Sequence, residues 1–376
     1  MSDEETRIVW VLGSGFSRPL GGPTLEQLLS PSSHEELKLR FPIAEYPRVH
    51  NAASVFARRL YLYGRAYDIG RIAQRDNALA GERLWDHAET FLDYLDVAAG
   101  APDSVAYKQV ERVLDRLREP GDLSRLPAVE DVHHAARRLV ALECCGFADG
   151  VDTNTEKWAP FRRWRGGIDN AHTVITFNYD RVLEKIGLFY VVMPDDSEEK
   201  KAQPAVRVFK LHGSVDWRRH ADGTCESVDS DNLPATCEDA ELVIATPGPT
   251  KLSEAGKLKA LWDLAMIAMK EADAIVFVGY RFPPSDSEAR EVLLKAVSNS
   301  QRRHLDLHVV LGPDVHSQHA ARLSGLLTYA ANASGRLNAE PISQAATFLV
   351  HTHPLYCEDF LSVFTEHVLL GLRDDH

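Results

Sequence analysis

Five short apolar runs in this chain each stop at a polar or glycine-rich cluster, and that recurrence limits the fold more than any single motif. Ile8 to Leu12 runs into Gly13-Ser-Gly15, Thr173 to Phe177 into Asn178-Tyr-Asp180, and Val206 to Leu211 into His212-Gly-Ser214. Ala274 to Val278 runs into Gly279-Tyr280, and Leu305 to Leu311 into Gly312-Pro-Asp314. Uninterrupted runs such as Ile8-Val-Trp-Val-Leu12 suit strands buried on both faces of a parallel sheet. In open α/β sheets, ligands sit beyond the carboxyl ends of the strands. A parallel arrangement therefore places all five clusters along one edge. The expected fold class is α/β, a Rossmann-like, mostly parallel sheet with a large α-helical insertion.

The insertion is the stretch from 31 to 165, where the pattern turns helical. Trp85 to Val97, Ser104 to Leu117 and Val129 to Cys145 carry apolar residues at three- and four-residue steps, and Pro120-Gly121 marks a turn. The expected organisation is a discontinuous core of residues 1–30 and 166–330, the helical insertion 31–165, and a terminal piece 331–376 that adds a strand and a helix to the core. Thr24 with Gln27 has the form of a capping box opening a helix from Leu25 to Leu29, and Ser285 with Glu288 repeats it. Leu242 to Ala245 is expected as another strand, and Leu258 to Met269 as an amphipathic helix.

Composition narrows the partners. Lys and Arg number 42 against 55 Asp and Glu, a formal charge of −13, so the chain as a whole repels nucleic acid. Lys157-Trp-Ala-Pro-Phe-Arg-Arg-Trp-Arg165 is the local exception: either a grip for phosphates or a partner, or a boundary segment with its tryptophans tucked under it. No apolar run approaches the ~18 residues of a membrane span, and the acidic start Met1-Ser-Asp-Glu-Glu lacks the basic opening of a signal peptide; a cytoplasmic protein is expected. The five cysteines are scattered and odd in number, which suits a reducing compartment. Cys225 and Cys237 do not make the paired ligands of a structural zinc, and His351, His353 and Cys357 fit a strand face better than a site. No metal is expected.

Glycines directly after a first strand let backbone approach a pyrophosphate, although the spacing here departs from Gly-x-Gly-x-x-Gly and glycine turns are common. His212 after its strand is placed to move a proton near neutral pH, or else is a turn histidine with a hydrogen-bonded ring. Asp180 either serves the site or caps the helix from Arg181 to Ile186.

The succession Gly13-Ser-Gly-Phe-Ser17, Thr176-Phe-Asn-Tyr-Asp180, Leu211-His-Gly-Ser214 and Gly279-Tyr-Arg-Phe-Pro-Pro-Ser-Asp286 resembles the sirtuin-like family. More narrowly, it is similar to the bacterial branch that hydrolyses NAD in anti-phage defence; Glu89-Thr-Phe-Leu-Asp-Tyr-Leu95 resembles a segment of that branch. The resemblance covers residues 7–24 and about 173–315. It implies NAD as substrate, cleaved between nicotinamide and ribose. Asn178 would orient the ribose or the attacking water, Asp180 would contact the nicotinamide amide, and His212 would be the general base. Gly13, Ser14, Gly15 and Ser17 would hold the pyrophosphate, with Phe16, Thr24, Gly213, Ser214, Gly279 and Tyr280 completing the nucleotide contacts. It further implies a homo-oligomer and an ATPase or nuclease partner from the same defence system. Three departures bear on activity. The deacylases' zinc ribbon is missing, their Asp-Phe-Arg is replaced by Thr24-Leu-Glu26, and the family's Asn-Pro is replaced by Gly312-Pro313. The first two weigh against a protein deacylase or ADP-ribosyltransferase, while a silent NAD or ADP-ribose sensor remains the main alternative.

Overall fold

The computed structural model describes residues 6–24, 27–54, 56–63, 88–118, 126–201, 203–230, 232–245, 252–283, 286–302, 304–333 and 347–370. The chain divides into two compact units. One holds residues 1–22, 147–214 and 255–376; the other holds 23–146 and 215–254.

The first unit is built on a seven-stranded sheet. Its strands are β1 (Ile8–Leu12), β2 (Thr173–Thr176), β3 (Phe189–Val191) and β4 (Val206–Lys210). The chain then forms β5 (Gly213–Arg219), β6 (Cys225–Ser227) and β7 (Leu242–Ile244), which make a separate three-stranded sheet in the order β6-β5-β7. It returns to the large sheet with β8 (Ala274–Val278), β9 (His304–Val310) and β10 (Thr347–His353). The large sheet has the order β10-β9-β8-β1-β2-β4-β3, and every neighbouring pair is parallel. The fold is α/β and Rossmann-like. The chain builds outward from β1 on the β2 side, then comes back to lay β8 on its other flank. Such a reversal of strand order is where open α/β sheets bind ligands, and it falls at Gly13.

The sheet is covered by an aromatic layer that the hydrophobic run of β1 seats. Trp10 is fully buried and meets Trp164 edge-on at 5.4 Å and Phe364 at 5.0 Å. Phe16 meets Phe161 at 5.2 Å and Trp164 at 5.4 Å. The basic-aromatic segment is thus largely helix Ala159–Gly166, whose Phe161 and Trp164, with Trp158 just before it, enter this core. That packing places 147–165 with the sheet, where the sequence expectation had assigned these residues to the insertion.

At the sheet's far edge, His308 of β9 stacks on His351 at 4.8 Å and on His353 at 5.2 Å, both from β10. His308 Nδ1 lies 2.9 Å from His353 Nε2, and its Nε2 lies 2.7 Å from the Leu369 carbonyl. Burial lowers the His308 pKa to about 3, with the neighbouring His353 and His351 adding to the effect, while the bond to Leu369 opposes it. An imidazole that stays neutral in the folded chain but protonates near 6.5 when unfolded costs stability as pH falls from about 6.5 towards 3. Urea unfolding midpoints should fall across that interval, and His308→Gln should flatten the dependence by up to about one proton; an unchanged slope would place the acid sensitivity elsewhere.

The second unit contains helices Pro31–Arg40, Pro47–Ala53, Ala88–Gly100, Val105–Leu117 and Val129–Gly146. Ser104 caps its helix, accepting from the Tyr107 amide at 3.0 Å. From Val129–Gly146, Arg138 donates to the carbonyls of Pro234 at 2.6 Å and Cys237 at 2.9 Å and pairs with Asp239. Arg137 reaches the Ile244 carbonyl at 2.8 Å. These bonds explain why 215–254 belongs with the helices; the strand expected at Leu242–Ala245 is present as Leu242–Ile244, in the three-stranded sheet. Thr24 presents its amide and hydroxyl to Gln27 Oε1 at 2.9 and 3.1 Å. Residues 27–29 form a turn ending in left-handed Leu29 rather than the expected helix. Ser285, Pro120-Gly121 and residues 85–87 lie outside the described residues.

Candidate functional site

The strand ends of β8, β1, β2 and β4 carry the site, all within the first unit. At its centre two glycine turns interlock. A Cβ on Gly279, whose φ is +65°, would lie 2.4 Å from Gly15 Cα, and one on Gly13 would lie 2.7 Å from the Gly279 oxygen. The Gly13 amide donates to Val278 O at 3.0 Å, that of Gly15 to Gly279 O at 3.2 Å, and that of Phe16 to Gly13 O at 2.9 Å. Backbone packing therefore accounts for Gly13, Gly15 and Gly279. The amides of Gly13 and Gly15, expected to face a pyrophosphate, are bonded within the turns. Ser14 remains half-buried. The Phe16 ring belongs to the aromatic core, so any nucleotide contact from that residue is confined to its backbone.

Three of the expected residues share one hydrogen-bond chain. Asn178 Nδ2 donates to Gly13 O at 2.9 Å and to Ser17 Oγ at 3.1 Å. The Ser17 hydroxyl donates to Asp180 Oδ2 at 2.6 Å, while Asp180 Oδ1 accepts from the Val182 amide at 3.0 Å. Asp180 thus secures the start of helix Val182–Ile186 and holds Ser17 at once. Burial raises the Asp180 pKa; the Ser17 hydroxyl, the Lys210 charge and the Val182 amide oppose the shift.

Beneath that loop sits Lys210, fully buried at the end of β4. Its ammonium donates to the Asp180 carbonyl at 2.6 Å, Glu184 Oε1 at 2.8 Å and Ser214 Oγ at 2.6 Å, which uses all three protons. Ser214 also reaches the Tyr179 carbonyl at 3.3 Å. Ser214, expected as a nucleotide contact, is a buried fastener between β4 and the Asn178–Asp180 loop. The sequence analysis assigned Lys210 no role; a lysine set between Phe209 and Leu211 was the available signal.

His212 is 3% exposed in the turn between β4 and β5, and Gly213, with φ +79°, reverses the chain behind it. Its Nε2 lies 3.6 Å from Asp286 Oδ2, an ion-pair rather than a hydrogen-bond distance. Phe177 meets the imidazole edge-on at 5.0 Å and stacks on Tyr280 at 4.2 Å. Tyr280, also expected to touch nucleotide, is 4% exposed and donates its hydroxyl to Asp286 at 2.9 Å. Thr24 belongs to the other unit. Because β2 and β4 are neighbours, Asn178 and His212 leave strand ends about 5 Å apart, the scale of a ribose. A carboxamide and an imidazole carried on neighbouring strand ends are groups that can orient a sugar or a water and accept a proton.

A parallel sheet with polar clusters at its reversal point defines a Rossmann-like binding fold. Residues 172–331 match the family model of the SIR2-like domain. That segment is similar to the sirtuin-like domain, a likeness that suggests NAD-related chemistry; β1 and its glycine turn lie ahead of it. A search of curated proteins found no match. Among the described residues, no group of three or more His, Cys, Asp and Glu is placed to hold a metal ion, and no helix is long and apolar enough to cross a membrane.

Proposed function

We propose that the chain is an NAD glycohydrolase that cleaves the nicotinamide–ribose bond, giving nicotinamide and ADP-ribose. The observation that supports this reading is the hydrogen-bond chain of Asn178, Ser17 and Asp180 beyond β1 and β2, with His212 following the neighbouring strand β4, in a segment similar to the SIR2-like domain. Departure of nicotinamide leaves an oxocarbenium-like ribose, which water attacks at the anomeric carbon. One proton must leave that water, and His212 is the base within the site suited to take it. Asn178 orients the ribose or the water, with its own carboxamide fixed by Gly13 and Ser17. Such positioning stabilises the transition state without reorganisation during the reaction.

An NAD hydrolase acting without restraint would exhaust its host. We therefore place it in the cytoplasm as an abortive-infection effector against phage, held silent by self-assembly or by an ATPase or nuclease partner. Incubating the purified protein with NAD should release nicotinamide and ADP-ribose in equal amounts, and Asn178→Ala should lower the rate by about 100-fold or more. Tight NAD binding with no release, alone or with the neighbouring gene products added, would replace the hydrolase with a sensor.

A further inference from the structure

We infer that Asp286, braced by Tyr280, is the positioning residue that sets the orientation and tautomer of His212, an inference that rests on the proposed reaction for its kinetic consequence. Asp286 stands immediately before helix Ser287–Ser298, where a carboxylate would ordinarily accept from the helix's first amides. Its side chain makes no such cap bond. It is instead 1% exposed, with Oδ2 accepting from the Tyr280 hydroxyl at 2.9 Å and facing His212 Nε2 at 3.6 Å. Burying a carboxylate costs several kcal/mol unless it is paired, and Tyr280 and His212 are two groups that face it here.

The chemistry follows from the donor inventory. A neutral imidazole carries one N–H and one acceptor nitrogen, and an ionised carboxylate only accepts. At 3.6 Å the two groups need to close only slightly to reach hydrogen-bond distance, as catalytic pairs do when substrate binds; Asp286 then selects the Nε2–H tautomer and makes Nδ1 the nitrogen that takes up the proton. Once His212 has accepted it, the same carboxylate stabilises the imidazolium, the division of labour of a carboxylate–histidine pair. Tyr280 fixes the facing oxygen. Phe177, edge-on to His212 and stacked on Tyr280, keeps the two rings in register. The signal was weak in sequence because Asp286 reads as part of a helix start.

The test compares the parent with Asp286→Asn, Tyr280→Phe and His212→Ala, each shown to be folded by thermal melting. With NAD, Asp286→Asn should lower kcat about 10²–10⁴-fold, as neutralising the orienting carboxylate of a triad does, with KM within about threefold. Placed on His212→Ala, the same change should cost nothing further, because residues acting as one unit are not additive. Imidazole ¹⁵N shifts supply a readout that needs no NAD: His212 should be Nε2–H in the parent and lose that preference in Asp286→Asn. A parent that leaves NAD intact yet shows this tautomer switch would overturn the hydrolase and keep the pair. Should Asp286→Asn fail to fold, a smaller kcat loss and a partial tautomer shift in Tyr280→Phe would support the pair. An unchanged tautomer in the folded variant, or an equal loss on the His212→Ala background, would overturn it.

Discussion

Replacing His212 with alanine should reduce nicotinamide release by at least about 100-fold, since general-base catalysis contributes about 10²–10⁴-fold. The ring is buried and packs edge-on to Phe177, so alanine also leaves a cavity, and lost activity could then reflect a collapsed turn. His212→Gln retains much of the volume but cannot act as a base near neutral pH. If the base role is right, both variants lose the rate, and the glutamine variant keeps the parent's melting behaviour. Substantial activity in the glutamine variant would remove His212 from proton transfer and leave it a packing role.

The second large effect is on stability. Lys210→Met keeps a similar length and removes the charge, leaving Glu184, the Asp180 carbonyl and Ser214 facing an apolar group. Breaking a buried pair by deleting one partner costs about 3–5 kcal/mol, mainly through the charge left behind. The urea midpoint should therefore shift strongly downward. Adding Glu184→Gln should recover part of the loss, because it removes the stranded carboxylate; contacting residues couple in this way. A loss below about 1 kcal/mol, or no recovery in the double variant, would mean that the network contributes little. Lys210 also supports the loop bearing Asn178 and Asp180, so release of nicotinamide should fall along with stability.

Two of the strands that place the site, β1 and β8, were legible because they are continuous and apolar. Ile8–Leu12 and Ala274–Val278 match the sequence reading at both ends, and their parallel pairing puts the polar clusters on one edge. β5 was hidden because Ser214 and Asp216, both almost fully buried, interrupt the apolar pattern that announces a strand. β3 and β6, at three residues each, are too short to show a period. The residue types at the site were readable, but their tasks were not. Gly13 and Gly15 have the look of a phosphate cradle, yet the close approach that demands glycine is made by Gly279 of another strand end. That pairing spans more than 260 residues of chain, and local sequence carries no trace of it. Asp286 and Lys210 escaped for the same reason: their partners are set by topology. Of the two readings offered for Lys157–Arg165, the one with its tryptophans tucked under holds, because the large aromatic areas of Trp158 and Trp164 drive those rings into the core.

The most direct test of the account is to incubate the purified chain with NAD in ¹⁸O-labelled water and follow both products by mass spectrometry. The account predicts nicotinamide and ADP-ribose in equal amounts, with one ¹⁸O at the anomeric hydroxyl of the ADP-ribose. NAD recovered intact from a protein that binds it would contradict the hydrolase, as would nicotinamide release with the ADP-ribose delivered to an acceptor other than water.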